Sequence, residues 1–445
     1  MSTKAADTDN DAPLLDATES VCPVCLKVVP AQIITEAKTV YMTKACHEHG
    51  SFKTYVWPDR DHYSWVNSFK LPLIPPEKIV ESGKGCPEDC GVCHSHLRRS
   101  TLVEIELTEC CNLRCPVCFM SAEEIHSSPQ TGPSLAVLET EFKAILEKTG
   151  PDTSIQLTGG EPTIRKDLPE IVELGRRIGF SAIEVNTNGV VIANDPAYIK
   201  KLAAAGISGI YMQFDGTTRQ VYETIRGADL LGTKLKAIQH CREAGVQVVL
   251  AMTIINGINE TQLGDVLNFA LENRDVIAGI AYQPAFGSGR FEVSNEERLT
   301  MGDVAFMLAD QSNGLIKPYD LWPLGCSHPL CSSATYIVED GDGLIPITRR
   351  ITPEEYVNSF DPASPQGSVF PDLAANLFPG MTPGLSIVVM NYMDAMNMDL
   401  HRLKECSMMV SGHDGRIIPF CSYQLTNIKG KKKATAYSGM PCTAP

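Results

Sequence analysis

Cys111-Asn-Leu-Arg-Cys115-Pro-Val-Cys118 constrains this chain more than any other stretch. Three cysteines in C-x3-C-x2-C spacing follow directly on an apolar run, Leu102 to Leu107. A [4Fe–4S] cluster takes four ligands, and three close thiols on one loop suit a cluster with one iron left open to a small molecule. Zinc sites more often pair C-x2-C spacings into a closed set of four. The spacing favours an open iron–sulfur cluster, with zinc and free thiols as the competing readings.

One βα unit downstream stands Thr158-Gly159-Gly160-Glu161-Pro162. Alone it reads as a tight turn after a strand. Together with the cysteine loop it resembles the radical S-adenosylmethionine (SAM) superfamily, over roughly residues 100–290. The resemblance implies that Cys111, Cys115 and Cys118 hold three irons and that the fourth iron binds the amino and carboxylate groups of SAM. It implies that the backbone of Gly159, Gly160, Glu161 and Pro162 receives the SAM amino group. Glycine suits that role because it lets backbone approach a ligand closely. The implied chemistry is cleavage of SAM to a 5′-deoxyadenosyl radical, which takes hydrogen from an unactivated C–H bond. The cofactor carries that chemistry, while the protein positions and shields it.

From about residue 100 the chain alternates strand-like and helix-like runs. The strand-like runs are Leu102–Leu107, Ser154–Leu157, Ala182–Val185, Gly209–Gln213, Val246–Met252 and Gly279–Tyr282. The helix-like runs are Leu135–Lys148, Leu168–Ile178, Pro196–Ala205, Leu235–Ala244 and Glu260–Glu272, with Asp167 and Asn259 where N-caps belong. This pattern predicts an α/β fold with a parallel sheet. Six units suit the partial (β/α)6 TIM-like barrel of the family, with its chemistry at the C-terminal strand ends. The later strand ends carry Asn186, Asn188, Gln213, Asp215, Arg226 and Ile254, on segments similar to those that line SAM in the family. Asn186 and Asn188 offer amides to ribose hydroxyls, and the Arg226 guanidinium matches a carboxylate. Without the resemblance, Asn-Gly and Asp-Gly here read as turns.

Other cysteines lie on both sides of that core. Cys22-Pro-Val-Cys25 and Cys46-His-Glu-His49 flank a hairpin pattern, Val28 to Thr43. They predict one tetrahedral site of Cys22, Cys25, Cys46 and His49 holding a mononuclear Fe or Zn, with His47 the competing ligand. Cys86, Cys90 and Cys93 repeat C-x3-C-x2-C with no glycine partner, which predicts an auxiliary cluster. Its fourth ligand is open among His94, His96, Cys110 and Cys442; zinc is the alternative. Cys326, Cys331, Cys406 and Cys421 suit a second, closed auxiliary cluster. Cys241, on an apolar helix face, reads as core.

The expected organisation is a disordered tail (1–18), a zinc-ribbon or rubredoxin-like knuckle (19–75), an auxiliary cluster segment (76–100), the partial barrel (101–290) and a C-terminal auxiliary cluster and substrate domain (291–445). Sixteen cysteines with no export signal read as metal chemistry in a reducing, cytoplasmic setting. No run approaches the length of a membrane span. A net charge of −15 argues against nucleic acid. The only basic run, Lys429 to Lys433, reads as a solvated loop, with peripheral contact to a membrane head group as the second reading.

The whole layout, from Cys22 to Cys421, resembles one radical SAM group: the archaeal tetraether lipid synthases, also described as dihydropterin methyltransferases. It implies SAM, a SAM-binding [4Fe–4S] cluster, two auxiliary clusters, a mononuclear metal and an electron donor such as ferredoxin or flavodoxin. Three functions compete. Radical C–C bond formation on lipid tails is the first expectation. It predicts an apolar channel reaching the SAM site, for which the Met-rich stretch Leu385 to Leu400 is a candidate wall. Radical methylation of a pterin or other small heterocycle is the alternative. It predicts a compact polar pocket, with Gln213, Asp215 and Gln283 available to grip a ring. A non-catalytic iron–sulfur electron-transfer protein is the third.

Overall fold

The computed structural model describes residues 13–120, 123–124, 132–291, 293–294, 296–341, 343–364, 366–380, 383–412, 415–430 and 432. Four antiparallel strands open the chain in spatial order: β1 (Leu14–Val21), β2 (Val28–Glu36), β3 (Thr39–Cys46) and β4 (Gly50–Trp57). β1 takes up residues 14–18 of the stretch expected to be a tail. β2 alternates strictly, with Val29, Ala31, Ile33 and Thr35 buried, as a strand with one covered face must. Ala31, Ile33, Val40 and Met42 join the main hydrophobic core, so the knuckle sheet leans on the rest of the molecule. Helix α1 (Arg60–Asn67) follows, capped by the Asp59 carboxylate, which accepts from the backbone N–H of Asp61 and His62.

Residues 68–101 form no helix or strand. Then β5 (Leu102–Glu106) starts the central sheet, and a two-residue pair, β6 (Cys110–Cys111) with β7 (Glu123–Glu124), brackets the cysteine loop. β8 (Ser154–Thr158), β9 (Ala182–Thr187), β10 (Gly209–Gln213), β11 (Val248–Ile254) and β12 (Ile277–Pro284) follow β5 in parallel and in chain order. The crossovers carry α2 (Leu135–Thr149), α3 (Leu168–Ile178), α4 (Val190–Asn194), α5 (Pro196–Ala205), α6 (Arg219–Arg226), α7 (Leu231–Ala244) and α8 (Leu263–Glu272). The expected strands and helices all appear, with shifted ends, and α4 and α6 are additions. Asp167 and Asn259 precede helical turns, but neither caps one with its side chain. The Asp167 carboxylate pairs with Arg165. Asn259 instead accepts from Ile255 N–H and donates to the carbonyls of Asp215 and Thr253, tying two strand ends together.

Among the described residues, the chain beyond 290 builds no sheet of its own. After α9 (Met301–Gln311) come β13 (Trp322–Pro323), β14 (Ser332–Asp340), β15 (Gly343–Pro346), α10 (Pro353–Asn358), α11 (Phe370–Leu377), β16 (Leu385–Met390), α12 (Leu400–Lys404), β17 (Met408–Ser411), β18 (Ile417–Pro419) and α13 (Phe420–Tyr423). β16 pairs parallel with β12, and β17 pairs parallel with β5, so the last third extends the central sheet at both edges. β16 occupies part of the expected channel wall, with Leu385, Ile387 and Val389 in the core. Met393 and Met398 are buried in a second cluster with Phe286 and Phe420.

Parallel strands covered on both faces usually read as continuous apolar runs. Here one face is apolar: Val103, Ile105, Ile155, Leu157, Ile183, Val185, Ile210 and Met212 pack under the helices, each adding roughly 1.5–3 kcal/mol. The other face is polar. Glu104, Gln156 and Thr158 are buried there, and Glu184, Asn186, Tyr211, Gln213 and Gln283 extend the row. Buried polar groups require partners, and this face is where the site is built.

Candidate active site

Two arginines and a glycine hold the cysteine loop in place. Arg226, at the end of α6, donates to the Val117 carbonyl (2.9 Å). Arg290 donates from its guanidinium to the Cys115 carbonyl (3.1 and 3.2 Å) and from its backbone N–H to the Cys118 carbonyl (2.9 Å). Gly289 has φ +62°, and a Cβ there would lie 2.3 Å from the Cys118 carbonyl oxygen. The Gly287-Ser-Gly-Arg290 segment after β12 therefore clamps the loop. Its Gly-x-Gly-Arg spacing directly after the sixth strand was the available sequence signal. Burial pushes the Cys111 thiol up to about 12 and raises Cys115 as well, so loss of those protons calls for a bound metal.

The Gly-Gly-Glu-Pro segment packs backbone against backbone. A Cβ on Gly159 would sit 2.3 Å from the Thr108 carbonyl oxygen, and one on Gly160 would sit 2.1 Å from that of Cys110. Gly160 N–H donates to the Thr108 carbonyl (2.6 Å), and Glu161 N–H donates to that of Cys110 (2.8 Å). Close approach to the cysteine loop itself thus requires both glycines. The Glu161 carboxylate is 1% exposed and accepts from Thr163 N–H, both hydroxyls of Thr163 and Thr187, and Asn188 N–H. It locks the ends of β8 and β9 together. Asn188 donates to Asn112 Oδ1 (2.7 Å), which fastens that end to the cysteine loop. Lys234, fully buried on α7, donates to the Asn188 carbonyl and to Gln213 Oε1. Burial lowers its pKa to about 8.

A cavity of about 210 Å³ opens at these strand ends. Cys111, Cys115 and Cys118 line it with Gly159, Gly160 and Glu161, and Asn186, Asn188, Gln213 and Arg226 border it too. Pro162, Asp215 and Ile254 do not. Pro162 opens a buried 3₁₀ turn, and Ile254 is core, its carbonyl accepting from Ala285 N–H. Asp215 is fully buried in a two-pronged pair with Arg226 (both contacts 2.7 Å) and accepts from Thr253 N–H. Arg226 is thus committed to Asp215 and the loop rather than turned out towards a ligand carboxylate. The cavity also takes in residues that the sequence did not single out: Glu104, Tyr211, Tyr392, Phe286, Phe420 and Arg290.

The N-terminal knuckle forms a second centre. The ligand atoms of Cys22, Cys25, Cys46 and His49 all lie within 4.8 Å of one another. His49 Nδ1 is 3.6 Å from Cys22 Sγ and 3.5 Å from Cys46 Sγ, and Cys25 and Cys46 sulfurs are 4.0 Å apart. Metal–sulfur bonds of about 2.3 Å in a tetrahedron separate sulfurs by about 3.8 Å, so the set fits one ion. His47 is exposed and lies outside it.

The radical SAM superfamily model matches residues 105–270, and the model described as an HMPTM N-terminal zinc ribbon domain matches residues 14–58. The chain is 32% identical to the 7,8-dihydro-6-hydroxymethylpterin dimethyltransferase of Methanocaldococcus jannaschii, across 91% of this chain and 92% of that protein. This chain belongs to the radical SAM superfamily. It is similar over a shorter span to a probable GTP 3′,8-cyclase of Sulfurisphaera tokodaii, at 28% identity across 38% of this chain and 52% of that protein. Among solved structures, native anSMEcpe with bound AdoMet matches 48% of this chain and 60% of that one, with a TM-score of 0.39 and 18% identity.

A radical SAM enzyme needs a [4Fe–4S] cluster and SAM, and the residues present fit both. Three thiols share one cavity with two arginines behind them. The buried Oδ1 of Asn186 has no hydrogen-bond partner among the described residues, as suits an acceptor kept for a ligand hydroxyl. When bound, cluster and SAM together supply the radical; this chain holds, orients and shields them.

Most of the remaining described cysteines lie near β17 and β18. Cys421 is buried and Cys326, Cys331 and Cys406 are half-buried; burial raises the Cys406 thiol, and the charges of the other three raise it further. The Arg402 guanidinium contacts Cys331 Sγ at 3.3 and 3.4 Å. Cys86 and Cys90 sulfurs are 3.8 Å apart and pack in the same cluster as Cys421. Of the expected fourth ligands, His96 Nε2 is engaged by the Cys406 carbonyl (2.7 Å), His94 is exposed, Cys110 is disulfide-bonded, and Cys442 lies outside the described residues. Cys241 is fully buried core. Lys432 of the basic run lies over the Tyr423 ring at 4.7 Å. Among the described residues no helix is long and apolar enough to cross a membrane.

Proposed function

We propose that this chain is a radical SAM methyltransferase acting on a reduced pterin or a similar small heterocycle. The observation that carries this is the compact cavity itself. Beyond the cluster thiols its far wall is a polar floor of Glu104, Tyr211 and Gln283, closed by Tyr392, Phe286 and Phe420. Phe286, Tyr392 and Phe420 lie with ring centroids 4.7–6.1 Å apart, a spacing at which aromatic rings pack on one another and on a flat guest. The relation to the M. jannaschii dimethyltransferase across nine-tenths of both chains agrees. Most of the stretch expected to wall a lipid channel is strand and core, which removes one of the two grounds for lipid-tail coupling, the other being the resemblance of the whole layout to the lipid synthases. The central strands would curl into the partial barrel of the family around this floor.

The other centres complete the proposal. The Cys22, Cys25, Cys46 and His49 site holds zinc, since three thiolates and one imidazole form a closed structural set. Cys326, Cys331, Cys406 and Cys421 hold one auxiliary [4Fe–4S] cluster, and Cys86, Cys90 and Cys93 hold another. Electrons arrive from a small donor such as ferredoxin or flavodoxin.

The test is anaerobic turnover with SAM, a low-potential reductant and a small-molecule extract as methyl source. 7,8-Dihydro-6-hydroxymethylpterin and a total lipid extract are offered in separate reactions. Mass spectrometry should find the pterin heavier by one or two methyl groups, with 5′-deoxyadenosine formed alongside. Coupled lipid chains with an unchanged pterin would replace this function by C–C bond formation. An inert protein with all its iron bound would point to electron transfer alone.

A further inference from the structure

Glu104 has no part in holding the cysteine loop or the Gly-Gly-Glu-Pro segment, yet it is among the most confined acids in the molecule. It sits mid-strand on β5 and is 6% exposed. Its neighbours Val103 and Ile105 face the helices, and Glu104 faces the cavity. Its carboxylate has no hydrogen-bond partner among the described residues. The groups around it bond to one another: Gln283 Nε2 donates to the Tyr211 hydroxyl (2.7 Å) and lies 3.5 Å from that of Tyr392, and the Tyr392 hydroxyl donates to Met390 Sδ (3.0 Å). Burial, with the nearby Glu106, raises the Glu104 pKa to about 8. A carboxyl this confined, with only the cavity to hydrate it, is disfavoured in its charged form. Its presence on a cavity wall fits a group kept for a ligand that brings the donors.

The chemistry of those donors follows from the geometry. When such a ligand binds and Glu104 gives up its proton to solvent, the carboxylate offers two acceptor oxygens side by side, which a pair of parallel N–H groups satisfies at once. The aromatic wall of Phe286, Tyr392 and Phe420 asks for a planar partner. We propose that Glu104 reads the substrate, pairing with the edge of a planar nitrogen heterocycle on which an exocyclic amine stands beside a ring N–H. That edge is common to pterins and to guanine. The proposal rests on the heterocycle function given above and deepens it by naming the edge and the residue that recognises it.

Equilibrium binding tests it on the anaerobically purified, cluster-loaded enzyme with SAM present. The probes are 7,8-dihydro-6-hydroxymethylpterin, its lumazine counterpart with oxygen in place of the amine, and GTP. The unmutated enzyme should bind the pterin at least about tenfold more tightly than the lumazine, because removing the amine leaves one carboxylate oxygen buried and unpaired. Glu104→Gln should weaken pterin binding by about tenfold or more and bring the two affinities close together. Tight binding of GTP with the same dependence on Glu104 would support the anchor and assign guanine as the source of the edge. Equal affinity for pterin and lumazine, unchanged by Glu104→Gln, would overturn the anchor and leave the heterocycle function intact. Binding of none of the three probes by the unmutated enzyme would remove both. Iron content and circular dichroism check that the variant is folded. The comparison of ligands on the unmutated enzyme needs no variant, so it can refute the proposal even where Glu104→Gln fails to fold.

Discussion

Arg226 can be assigned to one of two jobs by removing its charge. If it braces the site, as its contacts with Asp215, Thr253 and Val117 indicate, Arg226→Met strands a carboxylate that is fully buried. An uncompensated buried charge of this kind costs about 3–5 kcal/mol. Asp215→Asn strands the guanidinium, which is 9% exposed, at a similar cost. The double variant removes both charges and loses only hydrogen bonds and packing. Its cost should fall short of the sum of the singles by at least about 2 kcal/mol, as expected for groups in direct contact. Anaerobic urea unfolding followed by circular dichroism measures the stability terms, and iron content reports on the loop. Both single variants should lose iron from the Cys111, Cys115 and Cys118 site, because the Val117 carbonyl loses its brace in each. A guanidinium that binds the SAM carboxylate directly predicts something else. Arg226→Met would then weaken SAM binding with iron complete, and Asp215→Asn would leave iron unchanged. That pattern, or additive stability costs, would refute the bracing role.

Three other perturbations follow the same logic. Glu161→Gln puts an amide N–H₂ against a nest of donors that now share a carboxylate; it should cost about 2–4 kcal/mol and lower SAM affinity, and unchanged calorimetric SAM binding would count against this locking role. Cys46→Ser should release one metal and speed hydrogen exchange at residues 22–27 and 46–50. The β2–β3 face should stay protected because Ala31, Ile33, Val40 and Met42 belong to the main core; collapse of the whole sheet would show that the metal carries it. Glu104 gives a pH signature. The folded substrate-free enzyme keeps this proton to about pH 8, whereas an unperturbed Glu releases it near 4.5. Stability should therefore fall as pH rises between those values, by at most about 1.4 kcal/mol per pH unit. Glu104→Gln lacks that slope, so its thermal midpoint should gain on the wild type between about pH 6 and pH 8; parallel curves would mean that Glu104 is ionised throughout.

The parts legible in the sequence were those whose chemistry is local. A C-x3-C-x2-C loop and a Gly-Gly-Glu-Pro turn each complete their pattern within a few residues. The six core strands announced themselves as short apolar runs between amphipathic helices. What stayed hidden depended on pairing across long distances. Nothing in Leu385–Met390 or Met408–Ser411 says that one joins β12 and the other β5, so residues 291–445 read as a domain apart. Arg226 was assigned to a ligand because a guanidinium and a carboxylate match in the abstract. That Asp215, eleven residues earlier, supplies the match is a fact of the turn between β10 and α6. Arg290 fell at an assumed boundary, although Gly287-Ser-Gly-Arg290 had the look of a strand-end segment.

The polar face of the sheet shows why a strand can hide a binding residue. In Leu-Val-Glu-Ile-Glu at 102–106, alternation puts Val103 and Ile105 on one side and Glu104 and Glu106 on the other. In an isolated sheet that pattern means one buried face and one wet face, and the acids would be dismissed as solvent-facing. Here both faces are covered, and Glu104 and Glu106 are 6% and 5% exposed. The two acids have different fates. Glu106 accepts from the Tyr423 hydroxyl (2.9 Å), a partner brought by the C-terminal segment. Glu104, two residues earlier and one step deeper, has no such partner among the described residues and opens instead on the cavity. The same chain segment thus separates two labours: the loop beyond the strand holds the cluster chemistry, and the strand interior carries the group that selects what that chemistry meets. Substitutions on the loop should then change whether a radical forms, while substitutions along the polar strand face should change which molecule receives it.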